Sequence, residues 1–302
     1  MHFLFMRVPL RWSCKLAKQR SFPPPAAWPG ISWAGLFLLA PMIIVFIYSL
    51  LVKGVYGGII FEWTIKNYER AFDWLYLQIF YESLKLAALT TLSCLLIGYP
   101  VAYVLATATA GTRNTLLVLL IIPFWTNFVV RTYALKLLFS EQGPISQMGI
   151  SLGLWSEPIM WSNSSGMVWF GMLTNYLPYM VLPLYVSLEK FDFALLEAGR
   201  DLGASAWNNF WRVLIPLTKH GIITGSILVF TPALGEFLIP DMLGGAKVML
   251  MGNLITEQFL KMRDWPFGSA LSIILMSVVV FGLVTILRIW MKEDGKLKPE
   301  KA

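Results

Sequence analysis

Six runs of the chain are of bilayer-spanning length and nearly free of charge: 33–52, 83–106, 115–139, 166–188, 221–240 and 268–290. A bilayer core takes roughly 20 mostly apolar residues per helix. In lipid, a helix satisfies its own backbone hydrogen bonds. The sequence therefore predicts an all-α integral membrane protein with six transmembrane helices. Composition agrees, with 57% hydrophobic and 14% charged residues, against about 25% charged in soluble domains. The 13 tryptophans suit a chain with many membrane interfaces to anchor.

Lysine and arginine set the expected orientation. Arg7, Arg11, Lys15, Lys18 and Arg20 precede the first run, and Arg113 follows the second. Lys190, Arg200, Arg212 and Lys219 follow the fourth, and Arg288, Lys292, Lys296, Lys298 and Lys301 close the chain. The opposite loops lean acidic, with Glu62, Glu69, Asp73, Glu141, Glu157, Asp241, Glu257 and Asp264. The basic side is expected to be cytoplasmic. Residues 1–32 then form a basic cytoplasmic lead, 33–290 the six-span domain and 291–302 a cytoplasmic tail. The lead is too long, and too interrupted by Pro23-Pro24-Pro25, for a cleavable signal peptide. The net charge of +7 is spread between apolar runs. It reads as topological bias and not as a nucleic-acid surface.

Metal and catalytic chemistry find little support. Cys14 and Cys94 lie far apart, as do His2 and His220, and lone thiols make no metal site. Gly244-Gly245-Ala246-Lys247 lacks the spacing of a phosphate-binding loop. An integral-membrane enzyme would want acids, histidines or cysteines clustered at one depth. A self-sufficient secondary transporter would show paired interrupted spans in two halves, and no such pairing is visible.

Prolines 41, 100, 123, 178, 183 and 232 fall inside the runs. They read either as ordinary membrane-helix prolines or as kinks that open a central path. Pro123 and Pro178 have polar and aromatic company: Trp125, Thr126 and Asn127 near one, Asn175, Tyr176 and Tyr179 near the other.

Residues 192–216, on the basic side, carry the most information. Asp192 and Ser205 are placed to cap two short helices, and Gly203 suits the left-handed residue that ends the first. Leu195, Ala198, Gly199 and Leu202 share a small, apolar face, and Pro216 is expected to end the second helix. From periodicity alone this is either an amphipathic helix resting on headgroups or a helix that docks in a partner's groove.

The spacing here resembles the EAA loop of ABC importer permeases. Glu197-Ala198-Gly199 is followed after three residues by Gly203, and after nine more by Val213, Ile215 and Pro216. Gly199 stands where that pattern has a second alanine. The resemblance implies that Glu197, Ala198, Gly199, Asp201, Gly203, Ile215 and Pro216 belong to a coupling helix seated in an ATP-binding subunit. It implies no cofactor on this chain, with ATP and Mg²⁺ held by an ABC ATPase dimer. A second homologous permease subunit, a periplasmic substrate-binding protein and the bacterial inner membrane complete the expected company.

Four further stretches resemble the first permease subunit of spermidine/putrescine importers, the PotB/PotH type. They are Pro123-Phe124-Trp125-Thr126-Asn127 with Arg131, Asp201-Leu202-Gly203-Ala204-Ser205, Asp241-Met242-Leu243-Gly244-Gly245-Ala246-Lys247 and Arg263-Asp264-Trp265-Pro266-Phe267-Gly268. A polycation path should offer carboxylates and aromatic faces. Glu236, Phe237 and Asp241 sit near the outer end of the fifth run, with Trp125, Asn127, Tyr176 and Tyr179 as further candidates. Glu236 has a second reading, as the ion-pair partner of Arg131 or Lys136. The aromatics have one as helix-packing residues. Lys247, Arg263 and Asp264 flank an amphipathic stretch, 248–262, that reads as a binding-protein ledge or an interfacial helix. Another small organic solute remains an alternative cargo.

Overall fold

The computed structural model describes residues 28–296 except 56, 155, 156, 158–160 and 162. The basic residues 7–20, Cys14 and the last lysines lie outside the described residues. The chain divides into two compact units, 1–44 and 45–302. Helix α1, Trp28–Ser49, is apolar along its length and carries Pro41 without interruption.

The second unit is helical, apart from a two-stranded antiparallel hairpin, β1 (Val52–Lys53) and β2 (Ile59–Ile60), that pairs Val52 with Ile60. Its helices are α2 (Lys66–Ala71), α3 (Trp74–Thr107), α4 (Ala110–Ile121), α5 (Phe128–Leu138), α6 (Pro144–Ser151) and α7 (Ser165–Glu189). There follow α8 (Ala194–Asp201), α9 (Ala206–Asn209), α10 (Ile215–Leu217), α11 (Lys219–Leu234), α12 (Met251–Leu260) and α13 (Trp265–Lys296).

Helices α3, α7 and α11 pack on one another and hold most of the buried side chains. Lipid tails are as apolar as leucine, so contact between such helices depends on close approach at small residues. Glycines provide it. A β-carbon at Gly98 of α3 would lie 3.2 Å from Met180 Cγ, and one at Gly225 of α11 would lie 2.7 Å from Met180 Sδ. Met180 of α7 is therefore keyed into a notch on each neighbour. Gly221 is tighter still, its β-carbon position lying 2.6 Å from Ser187 Cβ and 2.8 Å from the Pro183 carbonyl oxygen.

Of the six expected spans, some form single long helices and others are bent or broken. Among the described residues, three helices are long and apolar enough to cross a bilayer: α1, α3 and the 265–286 part of α13. Two bent pairs bring the number to as many as five. The third expected run breaks between Trp125 and Phe128, and its halves meet at 91°. Ahead of the fifth, Ala206–Leu217 and Lys219–Leu234 meet at 67°. The fourth run forms α7, which is long enough but carries Asn175, Tyr176 and two prolines. Packed on α3 and α11, it presents less surface that lipid must cover.

Most of the prolines do not break their helices. Pro41, Pro100, Pro178, Pro183 and Pro232 lie inside continuous helices. Pro123 alone among them sits beside a break, in a 3₁₀ turn whose carbonyl accepts from the Thr126 N–H. Close to the expected stop at Pro216, the helix ends one residue on, at Leu217. The preceding turn, Phe210–Leu214, widens to π geometry and the chain bends at Thr218. π turns of this kind are single-turn insertions into α-helices.

A polar staple fastens α13 to α2 and the hairpin. Asp264, 5% exposed, accepts from Arg70 Nη1 at 3.0 Å and from the Phe267 N–H at 3.2 Å, with Lys53 Nζ at 3.7 Å. The Arg70 guanidinium also lies over the Phe267 ring, 3.9 Å from its centroid. Asp264 is thus engaged internally and is not a surface residue of a docking ledge. Lys247 and Arg263 are exposed.

Candidate functional site

The loop from Asp192 to Pro216 folds into the two short helices that its capping residues predict. Asp192 Oδ1 accepts from the Ala194 N–H at 3.1 Å, and Ser205 Oγ accepts from the Asn208 N–H at 3.3 Å. Gly203 has φ +83°. Its N–H bonds the Arg200 carbonyl and the Ala204 N–H bonds the Gly199 carbonyl, the paired pattern that closes a helix with a left-handed glycine.

Leu195, Glu197, Ala198, Asp201 and Leu202 are exposed. The apolar face read from periodicity is therefore free, with one exception. Gly199 faces inward, where the Asn209 side chain fills the space its β-carbon would take. Asn209 Nδ2 donates to the Leu196 carbonyl at 2.9 Å, joining the two helices. Ile215 is half-buried against the core, and Pro216 is exposed. Just ahead of the loop, Glu189 accepts from Tyr185 Oη at 2.6 Å and from Arg113 Nη1 at 3.2 Å. The end of α7 is thereby tied to the start of α4.

The candidate path residues fall into two groups. Tyr176 and Tyr179 of α7 lie with ring centroids 6.3 Å apart, and Tyr179 meets Phe124 edge-on at 5.4 Å. The Arg131 guanidinium lies 5.0 Å from the Phe124 centroid. Trp125 is 86% exposed, next to the 91° break, and stands apart from these contacts. Asn127 caps α5, accepting from the Val129 N–H at 2.8 Å.

Glu236 has neither of the two partners considered from sequence. Helix α11 ends at Leu234, and Glu236, 7% exposed, sits in the break that follows. Its Oε1 accepts from the Leu238 N–H at 2.9 Å and the Ile239 N–H at 3.3 Å, and its Oε2 accepts from the Tyr176 hydroxyl. The carboxylate is the cap of the helical turn leading into the π segment Pro240–Gly244. It pairs with neither Arg131 nor Lys136. Gly252 of α12 sits so close to the Gly235 and Glu236 carbonyls that a β-carbon would collide with them. Phe237 and Asp241 are exposed beyond the break. Outside the spans, the Lys261 ammonium is held above its usual range by its 2.7 Å bond to Glu257, with a smaller push from the Asp241 charge. Sequence alone offered no route to the Tyr176–Glu236 bond, whose members lie 60 positions apart.

A permease named PotB, of the spermidine/putrescine transport system of Haemophilus influenzae, is 44% identical over 253 residues, covering 83% of this chain and 88% of the relative. The chain belongs to the spermidine/putrescine permease family. The permease is also 44% identical to the protein of the same name from Escherichia coli K12, over 84% of the chain and 92% of that protein. No family model matches it. Among solved structures it is similar to a bacterial ABC transporter that imports the acidic polysaccharide alginate, with TM-score 0.69, 16% identity and coverage of 87% of this chain and 94% of that one. That transporter bound to its pentasaccharide-loaded periplasmic protein gives TM-score 0.66 and 15% identity, covering 87% and 93%. At such identity the likeness establishes the permease fold.

Proposed function

We propose that the chain is the membrane permease subunit of an ATP-driven importer of polyamines such as spermidine and putrescine. The kinship with spermidine/putrescine permeases over most of the chain carries this reading. The exposed face of α8, with Glu197, Ala198 and Asp201, docks on a partner ATPase that binds ATP and Mg²⁺. A helix with small apolar positions and a charged rim suits a groove, and the Gly203 turn and Asn209 bond hold it rigid. This chain contributes no ATPase chemistry and binds no cofactor. A second homologous permease and a periplasmic binding protein complete the complex. Both termini are cytoplasmic in the inner membrane, and six segments cross it when α7 and the two bent pairs are counted.

The path runs past the exposed Tyr179, Phe237, Asp241 and Trp125. Aromatic faces attract ammonium groups, and acids near the membrane normally face cavities. Asn127 is itself exposed, Tyr176 supports the path from behind, and the buried Glu236 adds negative potential while capping its turn. In the assembled complex, binding protein loaded with spermidine or putrescine should stimulate ATP hydrolysis and uptake. Stimulation by some other small solute, with none by either polyamine, would replace polyamine as cargo and leave the importer reading standing.

A further inference from the structure

An apolar groove of 780 Å³ lies between α3 and the underside of the loop. Tyr99 presents its ring to the groove because its hydroxyl is already bonded to Thr218 Oγ1 at 3.0 Å. A second groove, 510 Å³, runs between α3, α11 and α13 and shares Leu95 and Ile222 with the first. Together they follow α3 from Ala88 to Val104. Those 104 − 88 = 16 steps span about 24 Å at about 1.5 Å per residue. One leaflet with its headgroup region is about 20–22 Å thick.

Among the described residues, Arg200 is the one charged side chain lining either groove. It lies at the loop end and has no ion-pair or side-chain hydrogen-bond partner there. Trp207 and Trp211, 68% and 51% exposed, line the same end, at the level where indole rings anchor in a membrane interface. On α8, Leu196 and Arg200 face the groove, whereas Leu195 and Ala198 point away from it, at about 100° per residue. The loop has a partner side and a membrane side.

We propose that this track is a site for an anionic phospholipid of the inner leaflet. Its acyl chains lie along α3 and α11, and its phosphate lies on Arg200. The apolar interior, the leaflet-length run and the single cation at one end match an anionic amphiphile in shape and charge. A lipid there is clamped beneath the coupling loop, so leaflet charge bears on how firmly the loop is held. This rests on the cytoplasmic placement of the loop proposed above.

The test uses the assembled complex in nanodiscs of brominated phosphatidylglycerol or brominated phosphatidylcholine. Bromine quenches nearby indoles, and the Trp207 contribution is the difference between the unaltered complex and Trp207→Phe, with Trp211→Phe as a second reporter. Phosphatidylglycerol should quench Trp207 with about five-fold preference, the effect of one basic residue at an anionic surface. Arg200→Gln should abolish the preference and keep the quenching. Trp207 and Trp211 unquenched by either lipid, or a preference that survives Arg200→Gln, would overturn the site. Asn208→Cys reports orientation separately. If an impermeant maleimide labels it from outside, the loop placement fails, and with it this inference. If it is protected while both indoles stay unquenched, the lipid site alone fails.

Discussion

Asn209 occupies the notch that Gly199 leaves by having no β-carbon, and from there its amide holds the Leu196 carbonyl at 2.9 Å. The loop is thus locked by a glycine and an asparagine ten positions apart. Gly199→Ala restores the residue that the EAA pattern has at this place, yet here it should destabilise. Overpacking of this kind costs about 1–3 kcal/mol. Gly199→Ala with Asn209→Ala should recover part of the loss, because contacting residues are not additive. Thermal stability of the extracted complex, with stimulated ATPase activity alongside, reads both effects.

Gly203 meets nothing within 4 Å at its β-carbon position, so its constraint is backbone conformation alone. Left-handed geometry costs an ordinary residue about 1–2 kcal/mol, and asparagine less. Gly203→Asn should keep most substrate-stimulated ATP hydrolysis, whereas Gly203→Val or Gly203→Arg should lose it with the chain still inserted. Full stimulation with Gly203→Arg would count against a coupling role.

Glu236→Ala removes the acceptor for two backbone N–H groups and should cost about 1–3 kcal/mol. Glu236→Gln can still cap through its carbonyl and should be milder. Tyr176→Phe and Glu236→Gln should be non-additive in a double-mutant cycle, and Arg131→Gln should not rescue either. The readout is the yield of folded complex in extracted membranes.

Asp241→Asn removes an exposed charge and keeps size. If it meets a partly desolvated ammonium, polyamine uptake per folded complex should fall about ten-fold, the effect of about 1.4 kcal/mol. Unchanged normalised uptake would remove Asp241 from the path.

Arg70→Ala leaves the buried Asp264 carboxylate without its strongest donor. The melting temperature should fall by an amount matching about 1.5–3 kcal/mol, the range for hydrogen bonds to charged groups. Arg70→Lys should recover less than half. A lysine cannot reproduce the flat guanidinium stacked on Phe267.

The local features of the chain were legible, and the long-range ones were not. Nearly charge-free runs placed α1, α7, α13 and the end of α3 to within several residues, because membrane helices announce themselves by composition, though α3 starts nine residues earlier than its run. Asp192, Ser205 and Gly203 announced the loop helices, because caps and left-handed turns depend on neighbouring residues only. Pro123 and Pro178 looked alike in sequence, with polar groups around both, yet only Pro123 lies beside a break. The partners of Glu236 and Asp264 were not foreseen because Tyr176 and Arg70 lie 60 and 194 positions away. No periodicity encodes such pairs. The two π turns were equally silent, since they arise where helices settle against one another.

Met180 sets the spacing of three helices at once, being gripped by Gly98 on one neighbour and Gly225 on the other. A thioether is soft enough to fill both notches, and it is also a side chain whose chemistry can change. Oxidation to the sulfoxide would add a polar oxygen at a fully buried position. Neither glycine leaves room for it, so α3, α7 and α11 would be wedged apart together. Full burial shields this sulfur from peroxide, and that shielding protects the spacing of three helices at once.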